Sequence, residues 1–267
     1  MSMKLPIILC CLFIHLNVFA ETVPNGLEAF NKGDFSTALE RWKPLARQGI
    51  KEAQYNVGLI YNLGEGVIQD YREAVKWFVL AANQGLAQAQ YSAGTLYRQG
   101  KGVIQDYKEA AKWFTLAANQ GLAQAQYNLG VMYYRGNDVR QDYGQAAKWL
   151  AFAANQGHGE AQFYLGYMYS VGKGVPEDDR EAVKWYMQAA KQGVVEAQSN
   201  LGVMYETGEG VPQDYVYAYM WWNLAAAQGY QNAKKNKEII TKKMNFSQIE
   251  QAQTLSRQCI NSSYKDC

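Results

Sequence analysis

The sequence predicts an all-α solenoid in which pairs of helices stack one upon the next. Two observations carry this prediction. A Gln-Gly pair recurs every 36 residues without insertion or deletion, and each period holds two stretches of helical periodicity with a glycine-containing turn between them. The glycines of these pairs are Gly49, Gly85, Gly121, Gly157, Gly193 and Gly229. Such a period is typical of stacked two-helix units, because one unit alone cannot bury its apolar face.

The first helix of each period is predicted over a segment such as residues 52–63. Ala53, Val57 and Ile60 recur there at helical spacing, and the turn that begins at Gly64 ends the helix. The five repeats share a mid-helix glycine at Gly58, Gly94, Gly130, Gly166 and Gly202. Because glycine inside a helix costs about 1 kcal/mol relative to alanine, we expect a close approach, with the repeat tryptophan of a second helix lying against the glycine backbone.

The second helix is predicted over a segment such as residues 71–83. Asp70 is the expected N-cap, and Glu73 three residues later completes a capping box. The same pairing recurs at Asp106 with Glu109 and at Asp178 with Glu181. Trp77 lies on an alanine-rich stripe that should pack against the preceding helix, and Gly85 should end the helix in the left-handed conformation.

The residues on either side of the repeats have their own expected roles. The chain divides into a signal peptide at 1–20, a shortened N-terminal repeat at 21–49, five repeats at 50–229 and a C-terminal cap at 230–267. The cap is predicted to form helices over about residues 230–243 and 247–259, with Ser247 as the N-cap of the second and Glu250 as its partner. Terminal units of this kind keep a solenoid soluble.

The first twenty residues have the pattern of an export signal. Lys4 precedes an uncharged apolar stretch that ends at Ala20, where cleavage is expected, while a membrane-spanning helix is the alternative. In an exported protein, Cys259 and Cys267 are predicted to form a disulfide that fastens the C-terminus. A redox or metal role has less support, since neither a Cys-x-x-Cys spacing nor a histidine cluster accompanies them.

The repeated residues resemble those of a known family. Residues 123–133 read Ala-Gln-Ala-Gln-Tyr-Asn-Leu-Gly-Val-Met-Tyr, and residues 208–215 read Gly-Glu-Gly-Val-Pro-Gln-Asp-Tyr. With the Ala-x-x-Trp-x-x-x-Ala-Ala-x-Gln-Gly that follows, the pattern resembles the Sel-one-like repeat, a relative of the tetratricopeptide repeat, over residues 50–229. The resemblance implies a right-handed superhelix that binds other proteins as an adaptor or scaffold. Together with the short signal, it implies a periplasmic or secreted bacterial protein.

Three positions of the first helix differ between repeats while the other positions stay largely the same. Their i, i+3, i+6 spacing places them on one face, which stacked repeats align into a continuous surface. The candidate partner-binding residues on or beside this face are Arg98, Asn128, Tyr134, Arg135, Tyr164, Tyr167, Asn200 and Glu206. Tyrosine and arginine often anchor interfaces, so we expect a protein or peptide partner. Drift of an unconstrained surface is the alternative.

Other classes of function have weaker signals. A net charge of +2 argues against nucleic-acid binding. His158 is predicted to be a surface turn residue, because no second histidine or cysteine stands near it in the sequence. We therefore expect a monomer without catalytic activity, cofactor or metal, and without a membrane segment after signal cleavage.

Two alternatives to protein binding stay open. The first is a cell-wall or glycan ligand, since the rings of Tyr164 and Tyr167 could stack on sugars. The second is a penicillin-binding or hydrolysing enzyme, because some members of the resembled family have been linked to penicillin. The Ser-x-x-Lys pattern of such enzymes occurs at Ser170 with Lys173 and at Ser262 with Lys265, but its companion motifs are missing.

Overall fold

The computed structural model describes residues 26–136, 139–264 and 267. Every regular element in these residues is an α-helix, and no β-strand occurs among them. The chain forms two compact units, one up to Leu122 and the other from Ala123 onward. The signal peptide predicted at residues 1–20 lies outside the described residues.

The described part of the first unit contains six helices. They are α1 (26–31), α2 (Phe35–Arg47), α3 (Lys51–Leu63), α4 (Tyr71–Asn83), α5 (Ala87–Gln99) and α6 (Tyr107–Asn119). Helices α3 with α4 and α5 with α6 form two consecutive repeats, and α1 with α2 precedes them as a shorter pair. The observed bounds of α4 are those predicted, and α3 begins one residue earlier than predicted.

The described part of the second unit contains eight helices. They are α7 (Ala123–Arg135), α8 (Tyr143–Asn155), α9 (Gly159–Ser170), α10 (Asp179–Ala190), α11 (Val195–Thr207), α12 (Tyr215–Ala227), α13 (Gln231–Thr241) and α14 (Phe246–Asn261). The first six form three further repeats, and α13 and α14 pack against α12. The predicted all-α solenoid of helix pairs with a period of 36 residues is confirmed.

The turn between the two helices of a repeat is held by the backbone and by an aspartate. Helix α3 ends at Gly64, whose φ of 74° favours glycine. The Asp70 N–H then donates to the Tyr61 carbonyl at 3.0 Å, and the Asp70 carboxylate accepts the N–H of Glu73 at 3.1 Å. The aspartates that cap the other second helices in this way are Asp106, Asp142, Asp178 and Asp214.

The predicted capping boxes of α4, α6 and α10 were wrong in one respect. The glutamate side chain does not accept the N–H of the capping aspartate. The glutamates of these helices instead pair with the lysine three residues later: Glu73 with Lys76, Glu109 with Lys112 and Glu181 with Lys184. The physical reason is that the N–H of each capping aspartate already bonds to a tyrosine carbonyl. The glutamate carboxylate therefore has no open backbone donor to reach.

The mid-helix glycine does provide a close approach, but the contacting residue differs from the predicted one. A Cβ placed on Gly58 would lie 2.7 Å from the Phe78 ring, not against Trp77. The corresponding contacts are Phe114 at Gly94, Leu150 at Gly130, Tyr186 at Gly166 and Trp222 at Gly202. The repeat tryptophan instead packs with residues of the preceding repeat, as Trp113 does beside Phe78 and Ala81.

A buried glutamine of the first helix bonds to an exposed glutamine at the end of the second helix in each repeat, which the sequence did not reveal. In the first repeat, Gln54 donates to the Ala46 carbonyl of the preceding helix pair at 3.0 Å and accepts from the Gln84 side chain at 2.8 Å. The equivalent glutamine pairs are Gln90 with Gln120, Gln126 with Gln156, Gln162 with Gln192 and Gln198 with Gln228. These amides satisfy backbone and side-chain groups inside the core.

The C-terminal helices begin at a different residue from the one predicted. Asn245, not Ser247, caps α14, and it forms a full capping box with Gln248 rather than with Glu250. The cap falls two residues earlier because Asn245 is the residue with an extended backbone directly before the helix begins. At the far end, the structure places the sulfur atoms of Cys259 and Cys267 within bonding distance, with their Cα atoms 4.8 Å apart.

Candidate functional site

Five tyrosines from three helices of the second unit meet on one surface. We call them the aromatic cluster: Tyr127, Tyr134, Tyr143, Tyr164 and Tyr167. The ring centroid of Tyr134 lies 5.5 Å from that of Tyr143, 5.8 Å from that of Tyr164 and 6.4 Å from that of Tyr167. The Tyr127 ring lies 6.0 Å from the Tyr164 ring. All five side chains are half-buried, so part of each ring remains accessible.

The helices of one repeat and the next bring these rings together. Tyr127 and Tyr134 stand seven residues apart on α7, and Tyr164 and Tyr167 stand three apart on α9, so each pair shares a helix face. Tyr143 is the first residue of α8, which returns beside the end of α7. The predicted association of Tyr134, Tyr164 and Tyr167 is therefore what the structure shows.

The cluster is neutral in its interior and positively charged at one edge. Burial raises the pKa of the Tyr134 phenol to about 12, and the adjacent Tyr167 hydroxyl adds to the rise. Tyr134 consequently stays protonated at neutral pH and its hydroxyl remains a hydrogen-bond donor. The Lys173 ammonium lies 5.4 Å from the Tyr143 ring centroid and 5.8 Å from that of Tyr134, within cation–π range.

His158 lies in the turn between α8 and α9, as predicted, and it also extends the cluster. It is half-buried, and its ring stacks on Tyr127 with centroids 4.6 Å apart. Its Nδ1 accepts the Ala161 N–H at 3.3 Å, which makes it the N-cap of α9. Burial lowers the pKa of the imidazole below its ordinary value, in keeping with an Nδ1 that must stay unprotonated to accept.

Asn128 was wrongly expected on the partner-facing surface. Its side chain is only 7 % exposed, and its amide donates to the Gln124 carbonyl at 2.8 Å. The equivalent Tyr164 on α9 is half-buried, so the burial of Asn128 comes from its surroundings on α7 and not from its helical position. In this conformation no partner can reach it.

The other predicted residues lie in different surroundings. Arg135 is exposed and follows Tyr134 directly at the end of α7. Glu206 forms an ion pair at 2.9 Å with Lys243 in the turn after α13, and Asn200 lines a small cleft beside Tyr186. Arg98 belongs to the first unit, where its guanidinium lies 5.9 Å from the Phe114 ring centroid.

The Ser-x-x-Lys matches do not form a nucleophile with a base. The Ser170 hydroxyl donates to the Tyr167 carbonyl at 3.0 Å, whereas the Lys173 ammonium covers the rings of Tyr134 and Tyr143. The second match includes Lys265, which lies outside the described residues. Within the described residues, no group of three or more His, Cys, Asp or Glu side chains could hold a metal ion.

Sequence reasoning missed four members of this surface. Tyr127, Tyr143, His158 and Lys173 were assigned to repeat structure or to turns. Tyrosine stands at the positions of Tyr127 and Tyr143 in most repeats. A binding role for these two tyrosines therefore cannot be told from the repeat pattern. Lys173 could have been found by noting that a lysine also stands at the equivalent position 101, where it covers Tyr71 at 5.1 Å.

The repeats were then compared with known families. A model of the Sel1 repeat matches residues 51–86, 87–122, 123–158, 159–194 and 195–230. The chain belongs to the Sel1 repeat family. This is the Sel-one-like repeat that the motifs indicated, and the matched repeats begin one residue later than predicted. Sel1 repeat proteins generally mediate protein–protein interaction.

Two solved structures show how similar other Sel1 repeat proteins are. The crystal structure of a Sel1 repeat protein from Oxalobacter formigenes is 31% identical, covers 77% of this chain and 84% of that one, and has a TM-score of 0.73. A protective antigen of uropathogenic Escherichia coli with an SLR fold is 24% identical over 91% of this chain and 85% of that one, with a TM-score of 0.37. Comparison with curated protein sequences gave no match.

Among the described residues of this Sel1 repeat protein, none of the helices combines the length and the hydropathy that a membrane span needs.

Proposed function

We propose that this Sel1 repeat protein is an exported scaffold that binds a protein or peptide partner at the aromatic cluster. The observation that carries the proposal is the meeting of half-buried tyrosines from α7, α8 and α9 on one accessible surface. Tyrosine supplies a large contact area at a low cost in side-chain entropy, and its hydroxyl can bond to a peptide backbone. These properties suit a binding anchor rather than a packing residue.

Comparison between repeats supports a use beyond packing. At the position of Tyr164 the other repeats carry asparagine or serine, and at the position of Tyr134 they carry Asn62, Arg98, Ser170 or Glu206. The Sel1 fold is therefore built without an aromatic ring at either place. Only α7 and α9 carry the tyrosines, and their side chains pack against one another.

Export is the second part of the proposal. The charged start and apolar stretch of residues 1–20 support a signal peptide. The pairing geometry of Cys259 with Cys267 supports an oxidising compartment, since disulfides persist mainly there. The partner would then be another periplasmic or secreted protein.

Photo-crosslinking tests the proposed surface. A photoreactive amino acid replaces Arg135, which is exposed beside the cluster, and in a control protein it replaces Arg257, which is exposed on α14. We expect a discrete crosslinked partner from position 135 but not from position 257. The purified partner should bind Tyr164→Ala at least about tenfold more weakly, as for an interface anchor. The control variant Phe152→Ala removes an exposed ring outside the cluster and should leave affinity unchanged.

Other outcomes would replace this proposal with one of the alternatives. Equal crosslinking from both positions would show that the cluster is not the binding surface. A rise in melting temperature with cell-wall fragments that is lost in Tyr164→Ala would assign the cluster to a glycan. Hydrolysis of penicillin by the purified protein would overturn the scaffold assignment.

A further inference from the structure

A second site lies in the same unit, next to the aromatic cluster. It is a polar cleft of about 180 Å³ lined by Ser170, Asp179, Tyr186, Asn200, Val203, Met204 and Glu209, which we call the acidic cleft. Tyr186 is 2 % exposed, and its hydroxyl lies 3.3 Å from the Ser170 oxygen.

The cleft lies where the preceding repeat has two aromatic rings. Ser170 and Asp179 stand where the preceding repeat has Tyr134 and Tyr143, whose rings fill this space with centroids 5.5 Å apart. The residues equivalent to Asp179 in the other repeats are Tyr71, Tyr107, Tyr143 and Tyr215. Two smaller side chains thus leave open a volume that the preceding repeat closes with its own rings.

The base of the cleft is polar because Tyr186 supplies a hydroxyl there. The residues equivalent to Tyr186 are Phe78, Phe114, Leu150 and Trp222, which offer no hydroxyl. Burial raises the pKa of the Tyr186 phenol, and the nearby negative charge of Asp179 adds to that rise. Tyr186 therefore presents a neutral hydroxyl to a cleft whose electrostatic potential is negative.

A lysine of the chain itself covers the equivalent place in two of the other four repeats, which carry Glu65, Lys101, Asn137 and Lys173 in this series. Lys101 lies over the Tyr71 ring at 5.1 Å, and Lys173 lies over the Tyr143 ring at 5.4 Å. The next residue in this series is Glu209, so the acidic cleft receives a second carboxylate instead of an ammonium.

Packing brings the backbone segments that carry Asp179 and Glu209 together, and both residues line the cleft. A Cβ on Gly210 would lie 2.3 Å from the Asp179 carbonyl oxygen, so the loop that carries Glu209 rests directly on the start of α10. Among the described residues, neither Asp179 nor Glu209 forms an ion pair with a lysine or arginine. Two nearby acidic groups without a cation are a site that a cation from outside would stabilise.

We propose that the acidic cleft receives a lysine or arginine side chain of the partner. The Asp179 and Glu209 carboxylates accept its N–H groups, the Asn200 oxygen offers a further acceptor, and Val203 and Met204 pack against its aliphatic stem. The inference rests on the proposed function and specifies the partner chemically. Tyr167 connects the two sites, because its carbonyl accepts from Ser170 while its ring belongs to the aromatic cluster.

Small cations test the cleft without the partner. The full chain, labelled with ¹⁵N, is titrated with Nα-acetyl-arginine amide and with the neutral isostere Nα-acetyl-citrulline amide at equal ionic strength. We expect saturable shifts of the Asn200 side-chain amide signals with the arginine compound only. Equal shifts with citrulline amide, or no shift with arginine amide, would overturn the inference.

Two variants separate a local site from general electrostatic attraction. Asp179→Asn with Glu209→Gln should abolish the arginine-dependent shifts. Glu238→Gln with Glu250→Gln removes the same formal charge from exposed positions in α13 and α14 and should preserve them. Loss of the shifts in this control as well would show that net charge, not the cleft, attracts the cation.

A variant that closes the cleft gives a test in the opposite direction. Asp179→Tyr with Glu209→Lys restores the tyrosine and lysine found at Tyr143 and Lys173. This variant should fold, because the preceding repeat already contains the pair, and it should lose the response to arginine amide. A retained response in the folded variant would place the binding elsewhere.

The failure of this inference can be told apart from failure of the proposed function. A partner that depends on Tyr164 but binds Asp179→Asn with Glu209→Gln at unchanged affinity overturns the acidic cleft alone. Arginine amide binding at Asn200, without any partner crosslinked from position 135, overturns the aromatic cluster as the binding surface and leaves the cleft standing. If both hold, the same double variant should weaken partner binding at least tenfold.

Discussion

Tyr133 and Tyr134 are neighbours on α7 and serve different purposes. The carbonyl of Tyr133 accepts the Asp142 N–H at 3.1 Å, a bond that recurs at the equivalent tyrosine of every repeat. The Tyr134 ring instead joins the aromatic cluster. Successive residues of a helix point about 100° apart, so one tyrosine can serve the fold while the next serves the surface.

His158 makes the stability of α9 dependent on pH. Its folded-state pKa is lowered by burial, so the unfolded chain binds the proton more readily. The stability contribution is fully present above the unfolded pKa of about 6.5, and it is lost as pH falls through the lower folded pKa. The melting temperature of the wild type should therefore drop between pH 7.5 and pH 5 by more than that of His158→Asn.

His158→Asn is a suitable control because asparagine caps helices without titrating in this range. Circular dichroism at both pH values gives the two differences. Identical drops for the two proteins would mean that carboxylates, and not His158, cause the acid sensitivity.

At the scale of elements, each helix pair is fastened by groups that lie far apart in the sequence. Gln162 of α9 donates to the Ala154 carbonyl of α8 at 3.1 Å and accepts from the Gln192 side chain at 2.7 Å. This amide links three segments, the ends of α8 and α10 and the start of α9. Its interior position makes the bonds costly to break.

Gln162→Leu should lower stability by about 1–3 kcal/mol, because the Ala154 carbonyl and the Gln192 amide would lose a buried partner. The measurement is the urea midpoint, with the slope of the transition checked for constancy. Gln213→Leu is the control, since this exposed side chain bonds only to the Glu206 carbonyl at 2.6 Å; it should change stability by less than about 0.5 kcal/mol. Equal effects would mean that the buried amide network adds nothing.

At the scale of the whole molecule, the five Sel1 repeats share one backbone arrangement and differ mainly in their surface side chains. The repeated residues cap, close and pack each pair, so the remaining positions are open to variation. In the second unit that variation gives an aromatic cluster across two consecutive repeats and an acidic cleft beside it. Function in such a fold arises from departures from the repeat rather than from the repeat itself.

The predicted signal peptide and the predicted disulfide can be tested together on the whole protein. Produced with its own signal in a bacterial host, the protein should be found in the periplasm with Glu21 as its first residue. Its mass should be lower by two hydrogens than after reduction, because Cys259 and Cys267 pair. In the loop-entropy account, Cys259→Ser with Cys267→Ser should cost about 2–3 kcal/mol of stability.

Intact mass and denaturant unfolding measure these outcomes. Reductant should destabilise the wild type by a similar amount and leave the double serine variant unaffected. Retention of Met1, or alkylation of both thiols in the native protein, would contradict the prediction.

The sequence by itself determined the helix pairs and their bounds. An aspartate at the start of α4, a glycine just after its end and Gly64 after α3 act on the few residues next to them, so each helix can be delimited without knowing its neighbours. The prediction for α4 agreed residue by residue for this reason. The sequence also placed Tyr134, Tyr164 and Tyr167 on one face of two adjacent repeats, whereas the contact between their rings came from the structure.

Tertiary structure alone decided what depends on helix rotation and on the next repeat. Phe78 rather than Trp77 faces Gly58, because a difference of one residue turns a side chain by about 100°. Asn128 is buried although the equivalent Tyr164 is half-buried, because the surroundings of the two residues differ. Lys173 reaches Tyr143 across thirty residues of sequence, and Asp179 and Glu209 share a cleft only because a loop rests on the start of α10. No local pattern encodes such distances, since packing between repeats sets them.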